Sequence, residues 1–179
     1  GVGLNVLTNW SPKYLSQSVE EGGLDLARIW VGLDMSLFVG MAIFSAPLLG
    51  ALSDRIGRKQ VIIPGMVIST LLTIAMVQVG SNVVLLTLIF AAMGPFSYTM
   101  GQLLQASLLD SVIKGTEATT IGLVQGIRSL AFSVSPVLMG FLSSTVGIQS
   151  VFYVAVLFFI AAIVVLLLVP LRGVAESAE

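Results

Sequence analysis

Cysteine and histidine are both missing from the 179 residues. Without cysteine there is neither a disulfide nor a thiolate ligand for a metal. Without histidine the commonest metal ligand and general base are gone as well. Charge is scarce: 9% of the residues are charged and the net charge is −1, where a soluble domain carries about 25% charged residues. So neutral a chain has no basic footprint for a nucleic acid. A glycine-rich phosphate loop, a serine elbow and an H-E-x-x-H pattern are also missing. The expectation is therefore a non-enzyme with no cofactor and no metal site.

What is plentiful is apolar sequence. Hydrophobic residues make up 56% of the chain and the mean hydropathy is +1.05. From Gln60 to Leu109 no residue carries a formal charge. Runs of this kind are hydrocarbon-spanning segments, so the composition predicts an all-α, polytopic membrane helix bundle embedded in a lipid bilayer. The segments expected are a partial one within 1–17, whose apolar part ends at Trp10 before Pro12, then 29–52, 61–79, 83–113, 118–146 and 151–171, followed by a polar tail at 174–179. The chain begins at Gly1 rather than Met, with a first apolar stretch too short to span. The expectation is a fragment that starts inside a helix.

One decapeptide organises the rest. Between the second and third segments lie Gly50, Ala51, Leu52, Ser53, Asp54, Arg55, Ile56, Gly57, Arg58 and Lys59, four of them charged. Gly50 and Gly57 suit points where backbones approach closely or φ turns positive. Asp54 and Arg58 are four apart and could pair on one helical turn. The basic residues Arg55, Arg58, Lys59, Lys114 and Arg172 fall on one side of the expected bundle, with only Lys13 and Arg28 on the other. The positive-inside bias then puts the decapeptide turn and the C-terminus in the cytoplasm, and the acidic loop of Glu20 and Glu21 outside, in a cytoplasmic (cell) membrane.

The decapeptide resembles the signature loop of the major facilitator superfamily (MFS), glycine-x-leucine-x-aspartate-arginine-x-glycine-arginine-lysine, at every fixed position. The resemblance implies secondary transport of a small solute, with a coupling proton or ion as a further partner, by rocking of two six-helix halves. Each half is built from inverted three-helix repeats; no self-similarity between 1–79 and 83–171 stands above chance. In such a half the loop lies between the second and third helices, so the first segment here is a truncated first helix. The fourth segment has no arginine and only a short tail follows the sixth, which implies the C-terminal half, helices seven to twelve, over 1–173. The N-terminal six-helix half is then a partner. The segment Asn9 to Leu15 looks like the helix-seven end of organic-anion and organophosphate carriers, with multidrug or sugar transport, or a scaffold or receptor that transports nothing, as alternatives. The two apolar segments without charge, 61–79 and 151–171, are expected at the lipid-facing periphery.

The resemblance implies a gating latch at Gly50, Leu52, Asp54, Arg55, Gly57, Arg58 and Lys59, joined by Asp110 at the end of the fourth segment. It touches no substrate; the competing reading is a solvated positive-inside loop. Substrate-pathway candidates lie elsewhere. Arg128 is about 17 Å along the fifth segment from Glu117, and a charge so deep normally faces a cavity or a partner. It reads equally as an anchor for an anionic substrate and as half of a structural ion pair. Tyr98, Gln102 and Gln105 recur at i, i+4, i+7, and Gln125, Ser129 and Ser133 form a second polar stripe. Such stripes line cavities or join helices. Asn5, Asn9 and Trp10 are similar candidates on the first segment, with Trp10, Tyr14 and Lys13 suited to an interface. Ala42, Ala46 and Gly50 offer a small-residue stripe for close packing. Asp34 reads as a solvated residue near the outer interface rather than a proton carrier. It lies too far from Asp110 for the two to form a catalytic pair.

Overall fold

Glycine sets the helix ends. A computed structural model describes residues 2–110 and 116–168; the side chains of Val2, Leu109, Asp110 and Glu117 lie outside the described part, as do Lys114, Arg172 and the polar tail. Six α-helices run through the described residues: α1 Val2–Ser16, α2 Arg28–Ile56, α3 Arg58–Gln78, α4 Val83–Asp110, α5 Glu117–Thr145 and α6 Gln149–Leu168. The breaks at Gly57, Gly80 and Gly147 all have positive φ, at 100°, 67° and 106°, a region glycine enters without the steric cost of a Cβ. Asn82 starts α4 by accepting the Leu85 N–H at 3.2 Å through its side-chain oxygen, an N-cap. Five of the helices, α2 to α6, are long and apolar enough to cross a membrane.

α1 runs on through Pro12 to Ser16, past the proline at which its apolar part was expected to end. Helices tolerate an interior proline at membrane depth when neighbours re-satisfy the freed carbonyl. α2, α3, α4 and α5 likewise carry Pro47, Pro64, Pro95 and Pro136 without interruption. Beyond α1 the chain folds back on itself: the N–H groups of Leu24, Asp25 and Leu26 donate to the carbonyls of Tyr14, Gln17 and Leu15 at 2.8–3.0 Å. A 3-10 turn at Val19–Glu21 sits inside this loop, and Leu24 is buried, so the acidic loop of Glu20 and Glu21 is a folded cap on α1.

Packing centres on α4, which contacts α2 and α3, while α3 and α1 both pack on α6. α2 and α4 run in the same direction, and their contacts advance together. The Asp34 carboxylate accepts from the Thr87 hydroxyl at 2.8 Å. Next, the Phe38 and Phe90 rings meet edge to face at 6.4 Å. Gly94 then meets the Phe38 carbonyl, and the hydroxyls of Ser45 and Thr99 lie 3.3 Å apart. With lipid tails as apolar as leucine, close backbone approach and interhelical hydrogen bonds are what hold such helices together.

Two expectations are corrected by this packing. The small-residue stripe of α2 buries Ala42, but nothing lies within 4 Å of a Cβ built on Gly50; the close approach is at Gly94 instead. Tyr14 is fully buried, edge to face with Phe152 at 5.1 Å, and is a core residue rather than an interfacial one. Within this chain the charge-poor α3 and α6 are better covered than α2 and α5. Half of the apolar window of α3 is buried (50%), against 11% in α2 and 6% in α5. Open apolar faces lie on α2, at Ile43, Phe44, Leu48 and Leu52, on α5, at Leu123, Ile127, Leu130 and Phe141, and on α6, at Leu157, Val165 and Leu168.

Candidate functional site

α4 and α5 enclose an open cleft of about 270 Å³ with Leu4 of α1 at its edge. α4 contributes Tyr98, Gln102 and Gln105, the whole of the stripe expected from their i, i+4, i+7 spacing; α5 contributes Gln125 and Arg128. These five polar side chains converge against an apolar wall of Leu4, Leu104, Leu108 and Val124. The α5 stripe is thereby redrawn. Gln125 and Arg128, three apart, share the cleft, whereas Ser129 and Ser133 are exposed and Ser133 donates within the helix to the Ser129 carbonyl at 3.0 Å.

Arg128 is held from below by its own helix. Its guanidinium carbon lies 5.0 Å from the centre of the Phe132 ring, one turn on, in a cation–π arrangement. Its Nε is buried without a hydrogen-bond acceptor, and among the described residues no carboxylate is recorded within ion-pair distance of it. Charge of one sign, three amide groups and a phenol together make a surface that can bind an anion: the guanidinium presents a planar fork of donors, and each glutamine adds donors and an acceptor.

The remaining pathway candidates do not join this cleft. Asn9 is exposed and donates to the Asn5 carbonyl at 3.0 Å within α1, and Asn5 Oδ1 is buried without a partner. Trp10 lies beneath the Lys13 ammonium at 5.0 Å and approaches Gly140. Lys13 lies over Trp10 and beside Gly140, Ser143 and Ser144 of α5.

Where α2 meets α3 the decapeptide forms a sharp corner. α2 ends at Ile56, Gly57 (φ 100°, ψ 139°) turns the chain, and α3 starts at Arg58. Asp54 and Arg58 pair at 3.6 Å across this break rather than along one continuous helix. Ser53 is buried at the corner and its carbonyl accepts the Gly57 N–H at 3.0 Å. Lys59 reaches a place that spacing does not indicate: its ammonium donates to the Leu167 carbonyl in the last turn of α6 at 3.2 Å. There a cation complements the negative helix end. Leu52, Asp54 and Arg55 are exposed. Asp110, the acid expected to complete the cluster, closes α4, with its side chain outside the described residues.

Asp34 corrects the reading of a solvated interface residue. It is fully buried and bonded to Thr87, because it shares the stripe of Phe38 and Ala42 at four-residue spacing and that stripe faces α4. The sequence carried the signal, since Ala42 was already assigned to a packing face.

A profile of the Major Facilitator Superfamily matches residues 6–179. The chain belongs to that superfamily. Among solved structures it is similar to a mutant of the peptide transporter POT in complex with sulfate, with a TM-score of 0.73 and 17% identity over 93% of this chain. It is likewise similar to the same transporter in complex with alafosfalin, with a TM-score of 0.74, 16% identity and the same 93% coverage. At such identities the likeness is one of fold. In both cases the MFS chain described here spans 34% of the solved chain. No curated protein matches it. Its all-helical architecture and apolar helices are those of a multi-pass membrane transporter family.

Proposed function

We propose that this chain is the C-terminal half of an MFS secondary transporter and that its α4–α5 cleft is one wall of a site for a small organic anion or organophosphate. The observation that carries this reading is Arg128: a cation well along α5, with no carboxylate beside it among the described residues, in a cleft with Tyr98, Gln102, Gln105 and Gln125. Deep charges are balanced by a partner or by a ligand, and a guanidinium matches carboxylate or phosphate oxygens two at a time.

The open faces of α2 and α5 favour a second bundle seated against them, the N-terminal six-helix half, with substrate held between the two. Alternating access then consists of one half rocking on the other around the cleft, by symport or antiport with a coupling ion. The decapeptide corner, cytoplasmic by the positive-inside bias, is the latch. Its exposed Asp54 and Arg55 are available to the other half, while Gly57 and Lys59 fix its shape from within.

The test is binding and transport by the complete carrier in liposomes. Uptake of an organic anion, competed by phosphonates and lost on Arg128→Gln with the protein still folded, supports the reading. Uptake confined to neutral sugars or cationic drugs redirects it to those carriers. Failure to move any solute, with polar groups of the cleft unmatched by the other half, leaves a scaffold or receptor.

A further inference from the structure

Asp34 has no place in the anion cleft, and its surroundings are those of a group that cannot keep its charge. It is fully buried between α2 and α4. Oδ1 meets one donor, the Thr87 hydroxyl at 2.8 Å, and Oδ2 is buried with no hydrogen-bond partner. The charged and titratable groups of the neighbouring elements lie elsewhere. Arg28 opens α2 six residues earlier and is exposed; Asp54 and Arg55 are about 30 Å further along the same helix. Arg58 and Lys59 start α3 at that same far end. From α1, Lys13 is exposed over Trp10 and Tyr14 is packed on Phe152. Up to Leu108, α4 carries no charge at all.

A carboxylate here would hold a full charge on one neutral hydrogen bond, too little to offset taking that charge out of water. A carboxylic acid fits the same atoms. With the proton on Oδ1 it donates to the Thr87 oxygen across the same 2.8 Å, leaving Oδ2 as a carbonyl oxygen, the cheaper orphan. Because Thr87 can donate or accept, it serves both states without repacking.

We infer that Asp34 is a proton-binding site of the membrane domain, protonated while α2 and α4 are closed on each other and releasing that proton to water when their ends part. The step balances simply: a carboxylate and a proton combine to the acid, and the proton returns to water at the end of the bundle where α2 begins, about 9 Å from Asp34. The site therefore favours the closed α2–α4 contact at low pH and the parted one at high pH. In the proposed transporter this is a coupling-proton site separate from the Arg128 cleft. That consequence rests on the transport reading, whereas the proton site itself does not.

The experiment is infrared difference spectroscopy of the full-length protein in liposomes, acid minus alkaline buffer, without substrate. The expected result is a carboxylic C=O band that disappears in Asp34→Asn and moves in frequency in Thr87→Val, which removes its hydrogen-bond partner. A folded Asp34→Asn protein with the parent's spectrum overturns the proposal. If that variant fails to insert, an unshifted set of bands in a folded Thr87→Val protein overturns it equally. A titrating Asp34 in a protein that moves no solute would leave the proton site standing and remove the transport reading. Transport by a carrier whose Asp34 never titrates would do the reverse.

Discussion

Gly94 of α4 lies so close to the Phe38 carbonyl of α2 that a Cβ added to it would overlap that oxygen. The obstacle is backbone, which cannot rotate aside as a side chain can. Gly94→Ala is therefore expected to push α2 and α4 apart, straining the Asp34–Thr87 and Ser45–Thr99 contacts on either side. Overpacking of this kind costs about 1–3 kcal/mol. Thermal unfolding in detergent should show it as a clearly lowered midpoint. Gly65→Ala is the control: there the added methyl meets the Met100 side chain, whose flexible thioether can move, so its midpoint should fall less. Equal losses at both sites would mean that the α2–α4 contact is looser than described.

The corner of the decapeptide separates a conformational role from an electrostatic one. Gly57 holds φ 100° and ψ 139°, where a side chain is strained by about 1–3 kcal/mol, although nothing crowds its Cβ position. The Asp54–Arg58 pair has Asp54 64% exposed, and such pairs contribute roughly 0–1 kcal/mol. Gly57→Val should accordingly lower the melting midpoint and Asp54→Asn should leave it almost unchanged. If Asp54 latches one gating state of the complete carrier, Asp54→Asn should still alter the transport rate more than substrate affinity. Equal loss of rate and affinity would place Asp54 in the binding step instead.

Lys59 ties the same corner to the far end of the chain through the Leu167 carbonyl. A cation at a helix C-terminus contributes about 0.3–1 kcal/mol, so Lys59→Met should loosen the last turn of α6 with little effect on the whole. Hydrogen exchange reads this directly: amides near Leu166–Leu168 should exchange faster in the variant while those of α4 do not change. Arg in place of Lys59 retains the charge and should preserve most of the protection.

Much of this was legible from the residues alone. Apolar runs interrupted by glycine and charge located the helices, since a span needs about twenty apolar residues and a break needs a residue that tolerates positive φ. The α4 stripe of Tyr98, Gln102 and Gln105 was legible because helical periodicity fixes which side chains share a face. The α5 partner of that stripe was misread in part. Gln125, Ser129 and Ser133 share a face as well as Gln125 and Arg128 do, and only the approach of α4 decides between them. Asp34 was misjudged for the opposite reason: its distance from the helix start suggests water, but burial is set by the neighbouring helix. Contacts such as Lys59 with Leu167 join residues 108 apart in sequence, and no local pattern carries them.

Arg128 gives the sharpest division between binding and structure. Its guanidinium rests on Phe132 and opens onto the glutamines of the cleft. Lysine keeps the charge but loses the planar fork and the stacking geometry. If Arg128 anchors an anion, Arg128→Lys should weaken its binding by about 1–3 kcal/mol, the range of a hydrogen bond to a charged group. The melting midpoint without substrate should barely move, and the added stability that substrate confers should shrink. If Arg128 instead pairs with a carboxylate of the other half, Arg128→Gln should destabilise the complete carrier with or without substrate, and neutralising that carboxylate should restore it. Melting curves of both variants, with and without the anion, distinguish these outcomes. Unchanged affinity together with unchanged melting would remove both roles, leaving a cation that merely extends its head toward water.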